Sequence, residues 1–451
     1  MARLASKHQN VTTFNVTDLR GGMNVQAAPD RLEENEAELI DNFEFDIDGE
    51  KLTTRGGLSA PLITFADNIL GVFYDYEMNC FLVFLENKDI YKYTTSYDPL
   101  LLGKLVGNEK PTCCKYGGAV MIASGDKLQT YDYSTGLTTI TGSPMCDDVS
   151  ERFGRVTATV TGDDNVYYAA VGDPTTWTDD ANDDSDGWLT PVGYKDGGDI
   201  VGIEELSTDI IVFKNNGKIF QLTGEPPDQS LYKIASDSDF LYRKGITYNG
   251  KDLIYMSRVG LRSLSTSSDY GNFQNHEFGE KINPALISEP YHPTIWSLPR
   301  KKQFILRPKL STKLYVYHYL TGGFTTMTFP QIVTEIVESP TEHLIAMGNS
   351  LYSWSKSYST DNGTAIMATI KTRTKKSIQN ILVKRLAASI SSTTAGNSTV
   401  KVNGHALTFG WTETNQELDT RLVLTDKELG IEFSTTSPIT FNHIILETAL
   451  L

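Results

Sequence analysis

Cysteine is scarce in this chain, which has only Cys80, Cys113, Cys114 and Cys146 among 451 residues. No two of them have the CxxC spacing of a zinc or redox site, and four thiols in so long a chain do not make a disulfide framework. We therefore expect buried free thiols and no metal bound by cysteine. The same scarcity argues against folding in an oxidising compartment.

Long apolar runs are also missing. No stretch approaches the roughly 18 apolar residues that cross a membrane as a helix, and residues 1–14 (MARLASKHQNVTTF) lack the apolar core of a secretory signal. The sequence predicts no membrane span and predicts assembly in a cytoplasm.

Positive charge is in deficit, with 40 Lys and Arg against 56 Asp and Glu and a net charge of -16. This deficit argues against a nucleic-acid clamp, because affinity for phosphate comes mainly from basic side chains. An acidic wall does suit a channel through which DNA passes without sticking. From Asp361 onward the chain has nine basic and eight acidic residues, so this end is expected to contact a different neighbour.

Motifs of catalysis are absent too. None of the seven histidines has the i, i+4 spacing of a metal site, and the chain contains no nucleophile elbow, Walker loop or dinucleotide fingerprint. The sequence predicts that the protein is not an enzyme and has no cofactor-binding, catalytic or metal-binding residues.

A repeated hairpin pattern dominates what is present. Short apolar runs, each followed by a turn and a second, alternating run, recur at intervals of about 40 to 50 residues. The apolar runs lie at 80–85, 119–123, 210–213, 253–256, 304–306 and 344–347, and 166–170 fills the one wide gap. This period predicts an all-β fold with a β-propeller of about seven blades. A β-sandwich, or two stacked sandwiches, is the alternative.

Two regions flank the repeats. Residues 1–60 are predicted to form an N-terminal arm with a short acidic helix at 32–42 (LEENEAELIDN). The propeller is expected at 61–360. Repeated alternation of apolar and polar residues predicts a separate β-sandwich-like platform domain at 361–451.

Acidic loops and arginines suggest weaker alternatives. Glu44, Asp46 and Asp48, like Asn182, Asp184 and Asp186, begin as an EF-hand loop does but lack its closing carboxylate, so solvated loops are favoured over calcium sites. Residues 267–273 and 359–364 resemble the Asp-box turn of sialidase-type propellers without its closing Trp. A glycan hydrolase would also need clustered arginines, and the candidates are Arg152, Arg155, Arg243, Arg258 and Arg262.

Several segments resemble a known family. The pattern consists of residues 18–24 (DLRGGMN), 28–32 (APDRL), 35–37, 41–43, 49 and 55–57, followed by 167–177 (YYAAVGDPTTW), 200–213 and 253–264. These segments look like the tail nozzle and tail hub proteins of podophages. The resemblance covers the arm and most of the repeats.

That resemblance implies a structural virion protein of a short tail, which retains DNA and then lets it be ejected. It implies a ring of probably six copies, a tail adaptor and possibly tail fibres as partners, DNA passing without sequence-specific binding, and a location in the virion tail. The basic residues of the platform domain are expected at a subunit interface or, equally, on a solvated strand face; they are Lys371, Arg373, Lys375, Lys376, Lys384 and Arg385. A receptor- or glycan-binding tail module is the alternative function, for which Trp177 and Trp188 would converge on one pocket.

Overall fold

The computed structural model describes residues 11–95, 97–178, 185–236, 243–248, 252–266, 273–287 and 293–450. Nearly all regular structure in these ranges is β-strand. The described helices are single turns, the 3-10 helices Arg243–Gly245 and Pro299–Lys301 and the α-helix Asn283–Leu286. Within the described ranges, no helix has the length and apolar character needed to cross a membrane.

The protein is an all-β propeller with seven blades, each an antiparallel sheet built around four strands. From the innermost strand outward, the first three blades are blade 1, Ile69–Asp75, Cys80–Leu85, Asp89–Thr94 and Tyr97–Lys104; blade 2, Thr112–Tyr116, Ala119–Ala123, Gln129–Asp132 and Gly136–Thr139; and blade 3, Met145–Arg152, Arg155–Val160, Asn165–Tyr168 and Trp188–Pro191, with Asp126–Lys127 added at its inner edge. In the same order, the next two are blade 4, Ile200–Leu206, Asp209–Lys214, Lys218–Thr223 and Ser230–Ser236; and blade 5, Ile246–Tyr248, Leu253–Ser257, Gly260–Thr266 and Phe273–Glu277. The last two are blade 6, Thr294–Leu298, Gln303–Arg307, Lys313–His318 and Phe324–Thr328; and blade 7, Val333–Glu338, His343–Met347, Ser350–Ser355 and Ile63–Thr64.

Blade 7 closes the ring by combining both ends of the propeller sequence. Its outer strand Ile63–Thr64 precedes blade 1 in the chain and pairs antiparallel with Ser350–Ser355. The pairing extends through Leu62 N–H to Leu351 O at 2.8 Å, and Phe65 N–H donates to Asn349 O at 2.8 Å. Closure hides the sheet edges that an open array of blades would expose.

The apolar runs of the sequence form the second strands of six blades, as the hairpin pattern predicts. Those strands are buried on both faces because each blade packs between two others. Blade 3 differs: residues 166–170 overlap its third strand, whereas its second strand is Arg155–Val160. This second strand cannot be recognised from an apolar run, because it contains the polar residues Arg155, Thr157 and Thr159, all of which are buried.

A β-sandwich follows the propeller, and strands of the N-terminal arm belong to both of its sheets. The first sheet contains Phe43–Phe45, Leu52–Thr54, Thr440–Leu450, Lys375–Ser391 and Glu417–Leu429, with Val11–Val16 paired to Thr440–Leu450; the second contains Gly22–Met23, Glu36–Asp41, Ala368–Thr372, Ile431–Thr435, Gly396–Val402 and His405–Trp411. One apolar core lies between the sheets. The short strands Gly57–Leu58, Thr360–Asp361 and Thr364–Ala365 join the sandwich region to blade 7. The division of the chain at residues 60 and 361 stays a prediction.

The predicted helix at residues 32–42 is wrong, because the segment contains the strand Glu36–Asp41. This strand pairs antiparallel with Ala368–Thr372, parallel with Gly22–Met23, and touches blade 6 through Asp41 and Thr326. Because strands far away in the sequence supply these hydrogen bonds, tertiary pairing overrides the local helix propensity.

Arg55 joins the arm to the propeller. Its five N–H groups all have acceptors: Asn42 Oδ1 at 2.8 Å, Gly56 O at 2.9 Å, Thr328 O at 2.7 Å, and the two Asp361 carboxylate oxygens at 2.9 and 2.5 Å. The Arg55 and Asp361 side chains are almost wholly buried. One side chain therefore fixes the arm, blade 6 and the chain that leaves blade 7.

Candidate functional site

The predicted basic interface residues lie mostly in ion pairs within the chain. The pairs are Lys371 with Glu38, Arg373 with Glu34, Lys376 with Asp30 and Glu428, and Arg385 with Asp419 and Glu447. Lys375 and Lys384 are half-buried on the same long strand. The six lie on the interior sandwich strands Ala368–Thr372 and Lys375–Ser391 and on the link between them, and their role at a subunit interface stays a prediction.

The acidic segment 44–49 is held by protein groups. Glu44 is buried, and Asp46 Oδ1 accepts the Glu50 and Lys51 N–H groups. In the second acidic loop, Asn182 and Asp184 lie outside the described residues. Within the described residues, no group of three or more His, Cys, Asp or Glu side chains is arranged to hold a metal ion.

The residues weighed for a glycan site are dispersed. Arg155 is buried and donates to Ala169 O, whereas Arg243 lies at the propeller axis. Trp177 and Trp188 pack against two different hydrophobic clusters, the former with blades 2 and 3 and the latter with blades 3 and 4. Asp361, in the second Asp-box-like turn, binds Arg55, while residues 267–272 lie outside the described part of the chain.

Aromatic side chains lie in strand connections on one face of blades 1 to 3. In an antiparallel blade, the connections between strands one and two and between strands three and four lie on the same face, here called the hairpin face. Tyr76 in blade 1 and Tyr133 in blade 2 are 67% and 75% exposed in such connections. Phe153 occupies the corresponding tip in blade 3, at φ 57°. We call Tyr76, Tyr133 and Phe153 the aromatic patch.

Contacts between blades hold the base of the aromatic patch. Lys115 of blade 2 binds Asp75 and Glu77 of blade 1 at 2.9 and 3.0 Å, and the Tyr116 hydroxyl donates to Gly154 O of blade 3 at 2.7 Å. Cations also flank the rings. Lys92 Nζ lies 4.5 Å from the centroid of the Tyr133 ring, and the Arg152 guanidinium lies 4.8 Å from that of Phe153. Tyr76 and Tyr133 thus project from a braced surface, whereas Phe153 is half-buried against the cluster between blades 3 and 4.

A cavity of about 680 Å³ lies between the sandwich and blades 6 and 7. Glu44 lies at its floor, between Lys301 at 3.1 Å and Lys356 at 2.9 Å. Burial raises the pKa of Glu44, but the two ammonium groups outweigh burial and hold that pKa well below its usual range. Burial lowers the pKa of Lys301, whose Nζ lies 3.6 Å from the Trp354 ring centroid. We call this space the interdomain cavity.

A second cavity, of about 220 Å³, lies at the propeller axis. Its walls carry Lys110, Asp148, Glu204, Arg243, Lys244 and Glu335 from the inner ends of several blades. Burial and the nearby Asp148 raise the pKa of Glu204 to about 8, and burial and Arg243 lower that of Lys244 to about 8. Asp148 is paired with Arg243 and Glu335 with Lys110, so the axis is an interlocked set of charges that ties the blades together.

Comparisons with known proteins find likenesses in structure and none in sequence. No protein-family profile matches the chain, and no curated protein matches its sequence. Similar solved structures include the β-propeller domain of Swd1 (Cps50) from Myceliophteria thermophila, with a TM-score of 0.48 and 12% identity over 65% of this chain and 98% of that chain. U3-55K and the WD40 repeats of RRP9 each give a TM-score of 0.46 and 10% identity over 66% of this chain and 99% of theirs.

These three structures are not phage tail proteins, and they contradict the predicted podophage tail nozzle or hub. The predictions that rested on that resemblance are wrong as well: a virion tail location after assembly in a host cytoplasm, a ring of six copies, a tail adaptor and fibres as partners, passing DNA, and a receptor- or glycan-binding tail module as the alternative.

The segments that carried the resemblance have structural roles in this chain. A Cβ on Gly22, at φ 73°, would lie 2.4 Å from Phe324 N, so backbone packing requires glycine there. Arg55 is the buried clamp, and Gly57 packs against the backbone of Thr360. Close packing and turns therefore account for these residues, and such constraints act on unrelated propellers too.

Sequence reasoning missed Tyr76, Tyr133 and Lys301. Each is a single residue in a turn, with no motif around it. The one available signal was the position of the two tyrosines directly after Asp75 and Asp132, at strand ends where the hairpin pattern places turns. At these tips both tyrosine side chains stay largely exposed to solvent.

Proposed function

We propose that this protein is a non-enzymatic scaffold that binds another protein through the aromatic patch. The observation that carries the proposal is the exposure of Tyr76 and Tyr133 on one braced face. Tyrosine and arginine are enriched at protein interfaces, where a few aromatic anchors supply most of the binding energy.

The arrangement of the molecule supports this proposal. The sandwich and arm contact blades 5 to 7, with Met23 packed against blades 5 and 6, and with Lys301 in the blade 6 turn bound to Glu44. In the part of the chain that the structure describes, these contacts lie away from the hairpin face of blades 1 to 3. Because Lys115 and Tyr116 already fix the turns, little ordering entropy opposes docking.

Affinity capture from extracts of the source cells tests the proposal. The variant Tyr76→Ala/Tyr133→Ala is expected to lose the partner that the wild-type chain retains, with affinity reduced about 30-fold or more for two anchors. Tyr194→Ala is the matched control. Tyr194 is 72% exposed and flanked by Lys195 at 4.9 Å, but it lies in the connection from blade 3 to blade 4, on the opposite face.

The capture has two decisive outcomes. A partner held by wild type and by Tyr194→Ala, and lost by the double variant, supports docking at the aromatic patch. Retention of every partner by the double variant, or equal loss in the control, contradicts it.

A further inference from the structure

The interdomain cavity has the size and position of a ligand site. Its volume of about 680 Å³ lies within the roughly 300 to 1,000 Å³ typical of small-molecule pockets, which often form at domain boundaries. Three distant parts of the chain contribute walls: the arm, the turns of blades 6 and 7, and the sandwich loops at 391–393 and 438–440.

The cations of this cavity outnumber the carboxylates that neutralise them. One Glu44 carboxylate serves both Lys301 and Lys356. Lys356 Nζ is saturated, because it also contacts Thr53 Oγ1 at 2.5 Å and Thr54 O at 2.7 Å. Lys301 has Glu44 and the Trp354 ring, which leaves donor capacity on its ammonium group.

Arg300 adds a further positive charge at the wall. Its guanidinium donates to Ser339 O, and among the described residues it forms no ion pair with a carboxylate. The nearby Glu338 carboxylate is 2.9 Å from His343 Nε2, and Asp46 is engaged by backbone N–H groups of its own turn. Lys301 and Arg300 therefore have the greatest remaining capacity to bind an anion.

The remaining wall is largely apolar. Phe45, Ile47, Pro438 and Ile439 line it, and Ile47 is 57% exposed although it is a large aliphatic residue. An inorganic anion would leave this apolar surface in contact with water, whereas an apolar body would cover it.

We propose that the interdomain cavity binds an amphipathic organic anion, with its carboxylate, sulfonate or phosphate at Lys301 and Arg300 and its apolar body against Ile47 and Pro438. This site is independent of the aromatic patch. It gives the protein a second, small-molecule ligand that bridges the propeller and the sandwich.

Fluorescence titration with anilinonaphthalene sulfonate tests the site, because this probe joins a sulfonate to an apolar ring system. We expect one saturable molecule per chain. Lys301→Met, which keeps the side-chain volume over Trp354, and Arg300→Gln are each expected to weaken binding about tenfold through loss of a charge-assisted contact. Lys302→Gln is the control, since Lys302 has the same charge, is exposed and lies outside the cavity lining.

Two further measurements keep the result unambiguous. Near-ultraviolet circular dichroism establishes that each variant is folded. If Lys301→Met unfolds the chain, Arg300→Gln still tests the site, because Arg300 is exposed. Tyr76→Ala/Tyr133→Ala is expected to bind the probe as wild type does, which separates the cavity from the aromatic patch. Absence of a saturable site in wild type, or equal affinity in wild type and Arg300→Gln, would overturn the proposal.

Discussion

Arg55 shows how much of this architecture depends on single buried side chains. It satisfies all five of its donors and sits 4.3 Å from the centroid of the Phe329 ring. A buried ion pair contributes little net stability over apolar residues of the same volume, but removing one partner leaves the other charge buried and unpaired. Arg55 is therefore expected to be sensitive to substitution and to depend on Asp361.

We predict that Arg55→Met lowers the free energy of unfolding by about 3–5 kcal/mol, because it strands the Asp361 carboxylate. Arg55→Met/Asp361→Leu is expected to recover part of that loss. Arg385→Met is the control: Arg385 also pairs with a carboxylate, Asp419, but both side chains are about half exposed, so a much smaller loss is expected. Urea denaturation measures all three, and equal losses for Arg55→Met and Arg385→Met would show that burial is not the cause.

Residue identity alone did not predict the interdomain cavity. Glu44, Asp46 and Asp48 suggested a calcium-like loop because carboxylates alternate there. The structure instead gives Glu44 two ammonium partners, Lys301 and Lys356, which are more than 250 residues away in the sequence. A local pattern cannot reveal a counter-charge that only folding brings near.

At the scale of elements, a hairpin was predictable where its buried strand consists of consecutive apolar residues. Cys80–Leu85 and Ala119–Ala123 coincide with runs visible in the sequence. Arg155–Val160 was missed because its buried polar residues find partners within the fold, and Glu36–Asp41 was mistaken for a helix because its partners lie elsewhere in the chain. Ring closure by Ile63–Thr64 was not predictable from a two-residue strand.

The closing strand of blade 7 joins the two ends of the propeller sequence. Phe65 follows it, is buried, and lies 5.2 Å from Tyr91 of blade 1 by ring centroids. We predict that Phe65→Ala costs about 3–5 kcal/mol and raises amide hydrogen exchange in blades 7 and 1. Phe409→Ala, an equivalent deletion in the sandwich core, is the control and should raise exchange in the sandwich. Uniform exchange changes in both variants would contradict a locally closed ring.

At the scale of the whole molecule, the class of fold was predictable and the protein's role was not. A regular period of hairpins reports blade geometry, which many unrelated proteins share. The aromatic patch is assembled from turns in three blades, 76, 133 and 153, so no contiguous segment encodes it. The period of the hairpins therefore predicted the architecture, whereas a resemblance built on packing residues such as Gly22 and Arg55 led to the wrong function.

The most direct test of the scaffold proposal is site-specific photo-crosslinking in extracts of the source cells. A photoreactive phenylalanine analogue is placed at position 133, in the aromatic patch, or at position 194, on the opposite face. We expect a discrete adduct with one partner protein from position 133, absent from position 194 and lost when Tyr76→Ala is added. An adduct that forms from position 194 and not from position 133 would contradict the assignment of the aromatic patch as the docking surface.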